Sequence, residues 1–205
     1  MAEPHQSRVY SDLARFYDFF FGRVFVDREH ETIEGLNLRP GNRVLEVGVG
    51  TGIALGGYPP YAHVVAIDPS ADMLKRAQKR VAENNWGHIE LKLGDALNLD
   101  YPDNSFDYVT SFHVLTVVPD PNRMMSEMIR VCKPGGRIAI TTHFQSDKAI
   151  VAALNTIVNP ITRQLGWTTK LRKKDVLTGH PITLERNEKI SPMSVHTVII
   201  ARKNA

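Results

Sequence analysis

Three glycines alternate with other residues at Gly48-Val49-Gly50-Thr51-Gly52, directly after the apolar run Arg43–Val47. Glycine permits a tight turn and lets a backbone approach a ligand with no Cβ in the way. Such a loop, at the carboxyl edge of a parallel sheet, is where open α/β folds bind nucleotide-like ligands. Two carboxylates accompany it. Glu46 stands at the strand end and points into the loop, where it suits a cationic amino-acid group and would repel a pyrophosphate. Asp68 ends a second apolar run roughly 20 residues on, the interval from which an acid reaches ribose hydroxyls. Alone, the glycine loop is equally an ordinary strand–helix turn.

Spacing separates the ligand classes. The pattern is G-x-G-x-G, and Ile53 occupies the position where the dinucleotide fingerprint G-x-G-x-x-G closes on glycine. A nicotinamide enzyme would share Asp68 but neither Glu46 nor the missing glycine. S-adenosylmethionine, an adenosine joined to a cationic amino acid, fits all three. Gly94-Asp95-Ala96 follows a third apolar run, where Asp95 is placed to accept a hydrogen bond from an adenine amino group. His113 stands just past a fourth run, and a neutral imidazole there can take a proton from a substrate or fix a water that does. His143, past a fifth, is a further candidate. None of the 8 histidines has metal-ligand spacing, and one cysteine, Cys132, leaves neither a disulfide nor a Cys-based zinc cluster, so no metal is expected.

Short apolar runs alternating with helical patterns must position these groups, as parallel α/β sheets require. The predicted strands are Arg43–Val47, His63–Asp68, Ile89–Leu93, Phe106–Ser111 and Gly136–Thr142. A short helix should follow the glycine loop. Ser70–Asn84 reads as a helix capped by Ser70, with Met73, Leu74, Ala77 and Val81 on one face. Pro121–Cys132 reads as another, closed by a Pro-Gly-Gly turn at Pro134–Gly136. Ile150–Leu165 suggests a helix that Pro160 kinks or breaks. Ile182–Ile190 and His196–Ala201 read as an antiparallel hairpin at the sheet edge. The fold class is therefore α/β, doubly wound and mostly parallel.

Composition agrees. A chain of 205 residues with 42% hydrophobic and 23% charged content is read as one domain spanning 1–205. The formal charge of +3 is too small to argue for nucleic acid. No apolar run approaches the roughly 18–20 residues of a membrane span, and no signal layout opens the chain, so a cytoplasmic protein is expected. No protein partner is evident.

The two regions flanking the glycine loop carry other chemistry. Ser7–Phe25 is unusually aromatic; Tyr10, Leu13, Ala14, Tyr17, Phe21, Val24 and Phe25 form one helical stripe. Phe16 and Phe19 fall outside it, and Phe19 projects among Arg8, Asp12 and Arg15. The stripe docks a helix on the domain, whereas the extra aromatics and arginines suit contact with an anionic membrane surface. Arg163, Lys170, Arg172, Lys173 and Lys174, with Trp167 nearby, form the densest basic cluster. It is either a solvated face or a grip on a lipid phosphate, for which Arg163 and Arg172 have the better geometry.

The series Arg43–Gly52, Gly94-Asp95-Ala96, Phe106–Val109 and Pro134–Arg137 resembles the class I S-adenosylmethionine-dependent methyltransferases over residues ~40–142. The resemblance implies a Rossmann-like seven-stranded sheet. Glu46, Gly48, Gly50 and Gly52 would bind the methionine end of the cofactor, Asp68 its ribose, and Asp95 with Ala96 its adenine. Met73 would flank the adenine, or else pack in the core. Leu13–Phe25, with Tyr-Asp-x-x-Phe-Gly at Tyr17–Gly22, is similar to the opening of the soluble bacterial phosphatidylethanolamine N-methyltransferases. The stretch His113–Pro121 is similar to their segment after the fourth strand. That resemblance covers nearly the whole chain and implies successive methylation of a phospholipid amine. Tyr10 and Tyr17 would then cap the methyl-donor site and orient the amine, His113 would accept its proton, and S-adenosylhomocysteine would leave. The partner would be a phospholipid at an anionic surface, with the protein visiting the inner face of the membrane. A Tyr-Asp helix also occurs in quinone-methylating relatives, so a quinone or soluble acceptor is the alternative. A binding-only domain and a nucleic-acid methyltransferase fit less well.

Overall fold

In a computed structural model that describes residues 22–144, 171–189 and 196–205, the apolar runs pair as expected. Helix α1 (Gly22–Gly35) leads into β1 (Arg43–Val47), then β2 (His63–Asp68), α2 (Ala71–Glu83), β3 (Ile89–Leu93) and β4 (Phe106–Phe112). Helix α3 (Pro121–Val131), β5 (Cys132–His143), α4 (Lys173–Leu177), β6 (Ile182–Lys189) and β7 (His196–Lys203) follow. They build one seven-stranded sheet in the order β3-β2-β1-β4-β5-β7-β6. β1 to β5 run parallel, and β7 is antiparallel to both its neighbours, β5 and β6. Strand order reverses between β1 and β4, the switch point at which such sheets open a crevice.

Alternation along the strands sorts the side chains onto two faces. Leu45, Val47, Val109, Ile138 and Ile140 pack with Met124, Met125 and Met128 of α3. Val44, Val64, Ala66 and Ala139 pack with Ile33 of α1 and Val81 of α2. Glu46, between Leu45 and Val47, therefore faces α1. The Ser70 hydroxyl accepts the Met73 N–H at 3.3 Å and starts α2, and the Asp120 carboxylate accepts the Arg123 N–H at 2.9 Å and starts α3.

Three expectations change. α1 continues well past Phe25, and the apolar positions Ile33 and Leu36 explain its docking. The predicted Pro-Gly-Gly turn is not a break before β5. The strand begins at Cys132, and the motif is absorbed as an irregularity opposite Phe106/Tyr108, with Gly135 at φ 75°. The short helix after the glycine loop is a single 3-10 turn, Ala54–Gly57. Most of the aromatic segment, the 150–165 helix and the hairpin tip lie outside the described residues.

Candidate functional site

The glycine loop follows β1 and curls over the end of β2. The N–H groups of Gly48 and Val49 both donate to the Ile67 carbonyl, at 2.8 and 2.9 Å. Gly48, Gly50 and Gly52 have φ of 81°, 55° and 79°, a region that L side chains rarely adopt. A Cβ on Gly48 would run into the Val114 side chain, whereas one on Gly50 would meet nothing within 4 Å. The loop is thus closed against the β4 end at Gly48 and open at Gly50.

Asp68 straps this loop in place. Its Oδ2 accepts the Gly50 N–H and its Oδ1 the Ser70 N–H, both at 2.9 Å. Burial raises its pKa, against those two hydrogen bonds. A carboxylate offers about four lone-pair sites, so acceptance from ribose hydroxyls is compatible with this structural duty. Asp95 is exposed, and its Oδ1 accepts the Leu97 N–H at 2.8 Å, which leaves Ala96 buried behind it. Met73 is half-buried on the first turn of α2 and belongs to neither apolar cluster.

Glu46 is 2% exposed and hydrogen-bonded by the Tyr58 hydroxyl, yet its Oε2 is buried with no partner. Burial pushes its pKa up to about 8, and the nearby Glu29 carboxylate adds to the rise while Tyr58 opposes it. The Tyr58 and Thr110 hydroxyls lie 2.7 Å apart and continue this polar seam onto β4. An orphaned carboxylate oxygen beside an open glycine loop is the complement of an ammonium group. S-adenosylmethionine carries such a group on its amino-acid end, so the residues present fit it.

His113 adjoins the same place. It sits just past β4 at φ 61°, and its N–H donates to the Thr141 carbonyl at 2.7 Å. Its Nε2 is 3.3 Å from Glu29 Oε1 of α1. The His196 ring approaches edge-on at 5.1 Å, and His143 lies 5.8 Å beyond that. Sequence reasoning missed Glu29. The available signal was an acid sharing a helical stripe with Ile33 and Leu36, where burial demands a partner.

The structure thus gathers Glu46, Gly48, Gly50, Asp68 and His113 at the switch point, and Gly52 packs against Ala77 of α2. Arg172 is exposed at the start of α4, whose Val176 packs on the opposite sheet face. Tyr10, Phe16, Tyr17, Phe19 and Arg163 lie outside the described residues. Among the described residues no cluster of His, Cys, Asp and Glu has metal-binding geometry.

Residues 45–140 match the family model of a methyltransferase domain. The chain is 38% identical over 194 residues to the phosphatidylethanolamine N-methyltransferase of Cereibacter sphaeroides, covering 94% of this chain and 95% of that protein. It is 35% identical over 144 residues to the demethylmenaquinone methyltransferase of Anoxybacillus flavithermus, covering 66% of this chain and 61% of that protein. A solved SAM-dependent methyltransferase from Methanosarcina mazei superposes with a TM-score of 0.68 at 24% identity, over 84% of this chain and 97% of that one.

Proposed function

Because this chain belongs to the class I S-adenosylmethionine-dependent methyltransferases, in the family of the Cereibacter sphaeroides enzyme, we propose that it methylates the amine of phosphatidylethanolamine. Its mono- and dimethyl derivatives would be further acceptors, and phosphatidylcholine the end product. The observation that carries this reading is the end-to-end likeness to a phosphatidylethanolamine N-methyltransferase, 94% of one chain against 95% of the other.

Bound S-adenosylmethionine supplies a methyl group made electrophilic by a sulfonium. The chain's own residues hold and orient. Glu46 would hold the amino-acid ammonium, the Gly48, Gly50 and Gly52 loop the rest of the methionine end, and Asp68 with Asp95 the ribose and adenine. His113, beside the loop that Val114 closes, is placed to relieve the acceptor of a proton. In this reading Tyr10 and Tyr17 cap the donor site, and water exclusion by aromatics keeps the amine reactive. Phe16 and Phe19 dip into the lipid surface, and Arg163 and Arg172 hold phosphate. Among the described residues no helix is long and apolar enough to cross a membrane. Reversible attachment to an anionic surface then brings the enzyme to its acceptor, with no nucleic acid involved.

The test is transfer of labelled methyl groups from S-adenosylmethionine to mixed liposomes, with the lipids resolved by chromatography. Label in mono-, di- and trimethylated phosphatidylethanolamine is expected. Replacing Phe19 with a polar residue should lower both liposome binding and lipid turnover. The partial likeness to a demethylmenaquinone methyltransferase supports a second reading, a quinone acceptor. Label in added demethylmenaquinol and none in lipid would decide for it.

A further inference from the structure

At neutral pH the amine of an ethanolamine headgroup is an ammonium, which has no lone pair with which to attack a methyl carbon. One proton must leave nitrogen in every round. A group that takes it has to sit at the switch point, accept a proton near pH 7, and be held in one orientation.

Three observations bring such a group together; His113 and His143 were candidates in the sequence, whereas Glu29 and His196 were not. His113 occupies a left-handed backbone conformation, φ 61°, immediately before the Val114 side chain that closes over Gly48. Strain of this kind persists only where the surroundings fix it, here through the 2.7 Å hydrogen bond from the His113 N–H to Thr141. Second, α1 delivers a buried carboxylate to the ring: Glu29 is 6% exposed and its Oε1 lies 3.3 Å from His113 Nε2. Third, β7 and β5 deliver two more imidazoles from a cross-strand pair, His196 opposite His143, the His196 ring edge-on to His113 at 5.1 Å.

We propose that His113 and Glu29 form an acid–base dyad in which His113 takes the proton of the methyl acceptor and Glu29 is the positioning residue that holds its ring. This deepens the reading of the chain as an amine methyltransferase and rests on it. The proton leaves the substrate ammonium, the nitrogen keeps the freed electron pair for attack, and the imidazole becomes an imidazolium until solvent removes the proton. Each round therefore adds one methyl group and releases one proton. The 3.3 Å approach of Glu29 Oε1 to His113 Nε2 is a charge contact, and a carboxylate there stabilises the imidazolium once it forms.

The groups facing His113 are Glu29 from α1, His196 from β7 and, behind it, His143 from β5; Glu46 from β1 lies beyond Glu29. His196 is held down to about 4 by burial, with the charges of His113 and His143 adding to the effect. It therefore stays neutral near pH 7, and the ring cluster has Glu29 as its counter-charge.

The variants are Glu29→Gln, which keeps the shape, and His113→Asn, because asparagine tolerates the left-handed backbone that alanine does not. Methyl transfer is measured from pH 7 to pH 9 on liposomes containing phosphatidylethanolamine and on demethylmenaquinol. At pH 7 kcat should fall about 100-fold in H113N and about 10-fold or more in E29Q, with S-adenosylhomocysteine binding within about twofold of wild type. The deficit should shrink by close to tenfold per pH unit as the free amine loses its own proton. A deficit that is the same at pH 7 and pH 9, or no deficit, overturns the dyad. Wild-type label in the quinone alone overturns the amine reading, and the dyad is then judged on the quinone deficit. Independently of any acceptor, NMR of the ligand-free protein should show the His196 midpoint, near 4 in wild type, rising in H113N. An unmoved midpoint removes His113 from that cluster and overturns the geometry.

Discussion

Where the parallel strands begin, the Arg130 guanidinium donates to Glu127, to Asp103 and to the carbonyls of Leu99 and Tyr101, all between 2.7 and 2.9 Å. Lys133 meets Asp107 at 2.6 Å, and Lys203 meets the Cys132 carbonyl at 2.8 Å. Where those strands end, Glu46 is buried with one oxygen orphaned, and the Thr141 hydroxyl is buried without a partner. Both ends bury carboxylates, but they treat them differently. Arg130 holds Glu127 below the ordinary carboxylate range, whereas burial lifts Glu46 to about 8. A buried charge left without its counter-ion costs several kcal/mol. The folded chain avoids that cost at one end of the sheet with Arg130 and at the other by holding Glu46 protonated until a cation arrives. The difference marks which end is finished by the fold and which is finished by a ligand.

The comparison is broken most severely at Glu46. Glu46→Gln removes the counter-charge of the cofactor ammonium, so calorimetry should show S-adenosylhomocysteine affinity falling about 100- to 1000-fold, the usual effect of leaving one buried charge unpaired. Ligand-free stability should move the other way. Because the folded-state pKa of Glu46 is raised, its contribution is fully present below about 4.5 and is lost as pH rises through about 8. At pH 9 the Gln variant should therefore melt several degrees above wild type.

Arg130→Met attacks the other end. It leaves Glu127, whose side chain is 5% exposed, with only the half-exposed Arg123, 3.5 Å away, as a cation, and should cost about 3 kcal/mol in denaturant unfolding. The loss should narrow in acid, as pH falls below the ordinary carboxylate range and the depressed Glu127 carboxyl finally takes a proton in wild type too. Cofactor affinity should stay within about twofold of wild type. If R130M weakens the cofactor as strongly as E46Q does, the two ends are not independent.

A gentler probe is pH alone. Between pH 6 and pH 7.5, S-adenosylhomocysteine affinity should rise by up to about tenfold per unit as binding expels the Glu46 proton. In E46Q that slope should vanish. The smallest effect belongs to Ser70→Ala, which deletes the cap of α2 and one neighbour of the Asp68 strap. It should cost about 1 kcal/mol and lower Tm by about 2–4 °C.

Glycine spacing, the two acids and the alternation of apolar runs made the β1–β4 half of the sheet legible, because local periodicity and local ligand chemistry coincide there. β5 was misread at its start because Pro134-Gly135-Gly136 is turn chemistry taken alone. Only pairing with β4 turns it into a bulge. Glu29 was missed because its role depends on His113, 84 positions away: the stripe it shares with Ile33 and Leu36 signals burial, but nothing local names the partner. Likewise His196 is an ordinary strand residue until antiparallel pairing sets it beside His143, the candidate the sequence did offer there.

By itself the sequence determined the fold class, the glycine loop and the kind of cofactor, since each is encoded in residues only a few positions apart. Tertiary structure alone decided which buried charges would be satisfied. Burial, and the choice of partner across the sheet, set whether a carboxylate becomes an inert anchor like Glu127 or a waiting counter-charge like Glu46.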